Sequence, residues 1–208
     1  MRYFIADTHF GHEKVMRAML RRRPGKMPLF ESIEAHDDHL IDVINKTVDV
    51  NDELFVLGDF AQQPGKYRMR INCKHVRLVR GNHDPYQKSK NVFGEIPYIV
   101  HTKVRDGEGG SLKVVLCHTP LAYWDGSHNG SGHLYGHLHG QREETLNKAF
   151  GWQRRSMDVG ADHLRRWQNH YSPVSEVNIY GLFTSWRGHD PVSFYHDYQE
   201  SRKQGRHY

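Results

Sequence analysis

The chain has 208 residues, enough for one domain with a sizeable core and short for two comfortable ones. It holds no run of eighteen apolar residues, which excludes a transmembrane helix, and its opening MRYFIADTHF has no apolar stretch of signal length, so a cytoplasmic location is expected. A formal charge of +5 favours anionic partners in general and does not by itself mark a nucleic-acid binder.

Residues 2–6 form a short apolar run ending at Asp7 and read as a first buried strand. A helix is expected from about Glu13 to Leu20, stopped by Pro24-Gly25, with Arg21-Arg22-Arg23 as a solvated helix end or a phosphate contact. A second helix should cover Ser32 to Thr47, because Ile33, Leu40, Ile41, Ile44 and Val48 recur at near-helical spacing while His36, Asp37 and Asp38 face outward. Residues 53–58 read as a second strand ending at Asp59, Pro64 to Ile71 as a short helix, and residues 75–80 as a third strand before Gly81-Asn82-His83-Asp84. This alternation is the signature of βα units and a parallel sheet flanked by helices.

The pattern then changes. Residues 96–105 and 111–117 read as strands joined through Gly107 to Gly110, a hairpin signal. Cys73 and Cys117, the only cysteines, sit beside strands and read as small buried side chains rather than a disulfide framework. Gly126 to Gly132 is a loop, His133 to Tyr135 a short strand leading into Gly136-His137-Leu138-His139-Gly140, and residues 154–159 one more strand. Ser172-Pro173 looks like a cap and first helical position of a helix running to about Phe183. The domain is expected to span residues 1–185, with residues 186–208 as a polar, histidine-bearing extension.

Of 17 histidines, the informative ones lie with small acidic residues at the ends of expected strands: Asp7-x-His9, Gly58-Asp59, Gly81-Asn82-His83-Asp84, His118 and His137-x-His139. Sites in open α/β sheets form beyond the carboxyl ends of the strands, so these clusters are expected to share one rim. Any one of them alone is more simply a turn, a cap or a hydrogen-bonded surface group. Together Asp7, His9, Asp59, Asn82, His118, His137 and His139 offer seven oxygen and nitrogen donors, more than the four a tetrahedral zinc uses, which points to two ions. Two ions can share a hydroxide and clamp a phosphoryl group, with a carboxylate bridging them; Asp59, on the middle strand, is the expected bridge. Mixed oxygen and nitrogen donors without thiolate fit manganese, iron, zinc, cobalt or nickel better than a purely oxygen-loving magnesium, and a pair of manganese ions is the first expectation. An extended backbone would point His137 and His139 the same way, and likewise Asp7 and His9. Glycines 58, 81, 136 and 140 flank these groups where tight turns or close backbone approach are needed. His83 is expected to give a proton to the leaving oxygen or meet the transition-state phosphate, with Asp84 accepting from its other ring nitrogen or capping the next turn.

The blocks D-x-H, G-D, G-N-H-D, a lone H and G-H-x-H, in that order from Asp7 to His139, resemble the calcineurin-like metallophosphoesterase superfamily, and the segments Asp7 to His12, Leu57 to Phe60, Asp158 to Gly160 and Pro173 to Ser175 are similar to its small single-domain bacterial and phage members. The resemblance implies an α/β fold: a four-layer αββα sandwich of two mixed β sheets flanked by helices, with the site at one rim. It implies Asp7, His9, Asp59 and His139 around a first ion and Asp59, Asn82, His118 and His137 around a second. It also implies in-line attack on phosphorus by a bridging hydroxide, His83 in the catalytic role, and a lean towards phosphodiesters over monoesters. The partner is expected to be a small phosphoester, nucleotide-like among the options, while a nuclease or RNA-end-processing enzyme is the alternative and would need a basic groove. A binding module without turnover would be expected to have lost a ligand, and a structural zinc protein to use cysteine. Specificity is expected from the loops His12 to Pro28, Pro85 to Gly94 and Trp124 to Gly132, with Tyr123 or Trp124 stacking on a base or packing the loop, and Arg22, Arg23 or Lys88 meeting further phosphates.

Overall fold

A computed structural model of the chain describes residues 1–15, 30–141, 143–150 and 154–185. The first expected helix begins at Glu13; its remainder, the Arg21-Arg22-Arg23 run, the Pro24-Gly25 stop and the 186–208 extension lie outside the described residues.

The fold is a mixed α/β arrangement of two four-stranded sheets. The first joins β1 (Arg2–Ile5), β2 (Glu53–Leu57), β3 (His75–Val79) and β8 (Val174–Ser175) in the order β3-β2-β1-β8. Strands β1, β2 and β3 are parallel and β8 runs against β1. The second joins β4 (Ile99–Arg105), β5 (Ser111–Cys117), β6 (Gly132–Tyr135) and β7 (Ser156–Asp158) in that order, with the expected β4–β5 hairpin antiparallel and the rest parallel. Parallel strands covered on both faces read as near-continuous apolar runs, as ELFVL does in β2. One hydrophobic cluster draws on both sheets, with Phe4, Leu54 and Val56 from one and Val104, Leu116 and Leu134 from the other. Helices flank the sheets, and no helix among the described residues is long and apolar enough to cross a membrane.

The helix Ile33–Thr47 is capped by Ser32, whose hydroxyl accepts from the Ala35 amide, and it buries Leu40, Ile41 and Ile44 as the spacing predicts. Its polar face needs correction. His36 and Asp37 are buried, because Asp37 accepts from the Gly11 amide at 2.9 Å and pairs with His36 at 3.0 Å; only Asp38 faces outward. The segment Pro85 to Gly94, expected as a loop, is largely the helix Tyr86–Phe93. The final helix starts later than the Ser172-Pro173 pair implies. Val174 and Ser175 pair with Phe4 and Tyr3 as β8, and Ser175 caps the helix Glu176–Thr184. The helices Glu143–Phe150 and Ala161–Gln168 were not anticipated. Both cysteines are buried and free.

The seam between the sheets creates the rim. Past β1, the Ala6 amide donates to Val159 at 2.9 Å and Ala6 accepts from Ala161 at 2.9 Å, while Val159 donates to Tyr135 at 2.7 Å. The carboxyl ends of β1 and β7, one from each sheet, are thereby tied side by side, with β6 next to β7.

His133 fastens the loop 121–131 to the second sheet: its Nδ1–H donates to Val115 O at 2.9 Å and its Nε2 accepts from the Leu121 amide at 3.1 Å. Burial pushes this imidazole down to about 4, so it is neutral in the fold. A depressed pKa gives stability that is present above the unfolded value near 6.5 and lost as pH falls towards 4. In urea titrations the stability advantage of the wild type over His133→Gln should shrink between these pH values by on the order of 3 kcal/mol. A constant difference would contradict this role.

Candidate metal centre

The segment after β1 continues beside the segment after β2. Asp7 donates its amide to Gly58 O at 3.1 Å, His9 to Asp59 O and Phe10 to Phe60 O, both at 2.9 Å. Asp7-x-His9 is thereby laid against Gly58-Asp59. Asp84 fixes the third block: its carboxylate accepts from the amides of Gly81 at 2.8 Å, Phe60 at 2.8 Å and Asp59 at 3.0 Å. With both oxygens engaged by backbone, Asp84 holds two loops together and is not the partner expected for the His83 ring. Burial raises its carboxyl pKa, against the lowering effect of those amides.

All seven expected donors come to this rim. Asp59 Oδ2 lies between the two halves, 3.6 Å from His9 Nε2 and 3.3 Å from His118 Nε2. On one side Asp7 Oδ1 is 3.9 Å from His9 Nε2, and the His139 ring stacks on that of His9 at 5.1 Å. On the other, Asn82 Oδ1 is 2.9 Å from His118 Nε2 and 3.0 Å from His137 Nδ1. Two groups among the described residues have ligand atoms within 4.8 Å of one another, Asp7-His9-His139 and Asp7-Asp59-His118. Asp7 is common to both groups, while Asp59 is the carboxylate lying between His9 and His118.

The local backbone departs from the expected extended form. Six non-glycine residues among those described have positive φ, and five are expected ligands: Asp7 (56°), His9 (46°), Asp59 (54°), His137 (72°) and His139 (52°). Such conformations cost about 1–3 kcal/mol each and concentrate at functional sites. They also separate the last pair. His137 turns to Asn82 and His118, and His139 to His9 and Asp162.

Two glycines make the approach possible. Gly58 has φ +85°, and a Cβ there would lie 2.5 Å from His118 Nδ1; a Cβ on Gly81 would lie 2.3 Å from both Asp59 N and Asp59 Oδ1. The Asp59 backbone cannot yield, so Gly81→Ala should destabilise the fold by about 1–3 kcal/mol and strip bound metal. Melting curves and metal analysis check this; an unchanged variant would contradict the packing.

The donor set fits a cation. Asp7 Oδ1, His9 Nδ1 and His9 Nε2 are buried without a hydrogen-bond partner, and a buried unsatisfied group costs about 1–3 kcal/mol. The Leu57 carbonyl can only accept, so His118 Nδ1 carries the proton at 2.8 Å and Nε2 faces two oxygens, those of Asn82 and Asp59. Converging lone pairs of this kind call for positive charge. Burial pushes the Asp7 carboxyl up to about 7 and the His9 imidazole down to about 3. Burial also disfavours charge on Asp59 and His118, but their hydrogen bond prevails, holding Asp59 at about 2 and His118 at about 9. Without a metal, His118 answers that demand with a proton.

Supporting groups complete the cage, and sequence reasoning missed their roles. His139 Nδ1 faces Asp162 at 3.2 Å, the carboxylate–histidine pairing that orients a ligand imidazole. Asp158 accepts from the amides of Gly140 at 3.0 Å and Gly160 at 2.7 Å, and Arg166 donates to the carbonyls of His139 and Gly140. Their signal lay in the Asp158 to Gly160 segment and in Asp162 four residues on. The His12 ring lies 5.6 Å from that of His9 and 5.2 Å from that of His83, at the open side. His83 is exposed; its amide donates to Asp59 Oδ1 at 2.8 Å and its ring is 5.6 Å from His9. Trp124 is buried and donates to Ser131 O at 3.0 Å, so it packs its loop, whereas Tyr123 is exposed.

No protein-family model matches the sequence, and no curated protein matches it significantly. Among solved structures, a protein of unknown function from Aquifex aeolicus superposes with a TM-score of 0.63 over 88% of this chain and 98% of its own, at 24% identity, and shares the fold. A conserved uncharacterised protein of Streptococcus pneumoniae TIGR4, described as a predicted phosphoesterase, gives a TM-score of 0.31 at 17% identity, over 77% of this chain and 70% of its own, a similarity that carries no inference about chemistry.

Proposed function

We propose that this protein is a metal-dependent phosphoester hydrolase of the calcineurin-like type, with Asp7, His9, Asp59 and His139 holding one divalent cation and Asp59, Asn82, His118 and His137 a second. The observation that carries the reading is the meeting of these seven side chains, from five separate loops, around buried orphan donors at one rim. Two such ions, from among manganese, iron, zinc, cobalt and nickel, would supply Lewis-acid stabilisation of the phosphoryl oxygens and a water acidified for attack near neutral pH.

The chain's own groups do the rest. Asp59 offers one oxygen to both halves and uses the other to hold the His83 amide. His83 stands exposed beside His9, where its imidazole can protonate the leaving oxygen or hydrogen-bond the transition-state phosphate. Asp84 acts as a positioning residue through the three amides it binds. The substrate is a small phosphoester, diester before monoester.

The test is turnover of an activated aryl diester and the matching monoester by protein loaded in turn with manganese, iron, zinc, cobalt and nickel. Hydrolysis that vanishes on chelation and returns with metal is expected. Intact esters with every loaded form would reject the proposal.

A further inference from the structure

We infer that Tyr86, Arg80 and Tyr98 form a stacking platform beside the metal centre that binds a nucleobase of the substrate, making the preferred substrates nucleotide-bearing phosphodiesters. This rests on the hydrolase reading above and narrows its substrate class.

The Arg80 guanidinium carbon lies 4.5 Å from the Tyr86 ring centre and 4.7 Å from that of Tyr98, so two tyrosines stack on one cation. Lys90 Nζ lies 5.9 Å from the Tyr86 ring centre. The tyrosines remain open to solvent, Tyr86 by 44% and Tyr98 by 61%.

Each member is anchored next to a site residue. Arg80 is two positions before Asn82, which limits the separation of their Cα atoms to roughly 7 Å. Tyr86 follows Asp84 by two and opens the helix Tyr86–Phe93. Tyr98 precedes Ile99, whose strand partner Cys117 adjoins His118. The Arg80 amide donates to Pro97 O at 2.9 Å, fixing the two segments to each other.

The chemistry selects the occupant. Both tyrosines pack on Arg80 and still leave ring surface open to a ligand. Stacked aromatic and guanidinium planes match the face of an unstacked base, and the exposed side chains of Lys88 and Lys90 suit the phosphates on either side of it. A simple alkyl ester has nothing to place there.

The experiment compares the full wild-type chain with Tyr86→Ala, Tyr98→Ala, the double variant and the corresponding phenylalanine variants. Binding of a 5′-fluorescein pentathymidylate is read by anisotropy in EDTA. The remetallated proteins are then assayed on thymidine 5′-p-nitrophenyl phosphate against methyl p-nitrophenyl phosphate. Each alanine should weaken oligonucleotide binding about tenfold and lower the kcat/KM ratio of nucleotide to methyl ester by a similar factor, the size expected of one lost stack; phenylalanine should restore both. Equal binding by the wild type and the double variant would overturn the platform, as would an equal loss on both esters. Tyrosine-dependent binding in a protein that hydrolyses neither ester would uphold the platform while rejecting the hydrolase reading.

Discussion

Asp59→Asn is expected to lower turnover of any phosphoester substrate by at least about a thousand-fold, ~4 kcal/mol of barrier, and to cut the bound metal from two equivalents to one or none. The reason is geometric. Oδ2 of Asp59 lies 3.6 Å from His9 Nε2 and 3.3 Å from His118 Nε2, so one anionic oxygen serves both halves of the cage. An amide keeps the shape and the contact to the His83 amide but removes the charge that would offset repulsion between the two cations proposed above. Metal analysis beside single-turnover rates is the measurement. Undiminished activity with normal metal content would show that the carboxylate between the halves is not needed.

His83→Gln should separate catalysis from metal binding. The His83 ring is exposed at the open side, in edge contact with His9 and His12, while its backbone amide makes the bond to Asp59. Replacing the side chain leaves that bond, so metal content should hold. Loss of a positioned proton donor costs about a hundred- to ten-thousand-fold, and the deficit should grow with the pKa of the leaving group. A rate deficit equal for good and poor leaving groups would assign His83 to phosphate binding instead of proton transfer.

The parts of the fold legible in the sequence were those fixed by local pattern. The runs ending at Asp7 and Asp59 read as buried strands because their residues are largely apolar, the alternation with helical segments added residues 75–80 as a third parallel strand, and the carboxyl ends of the three then had to share a rim. What was not legible depended on distant partners. Asp37 resembles a solvent-facing residue until the Gly11 amide arrives from another segment. Ser172-Pro173 is a reasonable helix start, yet pairing of Val174 and Ser175 with β1 moves the cap to Ser175. The extended backbone expected at His137 and His139 failed because both residues take positive φ, a strain that tertiary hydrogen bonds such as His137 N to Asp7 Oδ2 at 2.8 Å support. Asp84 carried its motif but not its role, since three amides from two loops converge on it only in the folded chain.

The most direct test is an anomalous difference map from crystals grown with manganese. Two peaks about 3.5–4 Å apart on either side of Asp59 Oδ2, one toward Asp7, His9 and His139 and the other toward Asn82, His118 and His137, are the expected result. A single peak, or peaks remote from Asp59, would contradict a two-cation centre at this rim.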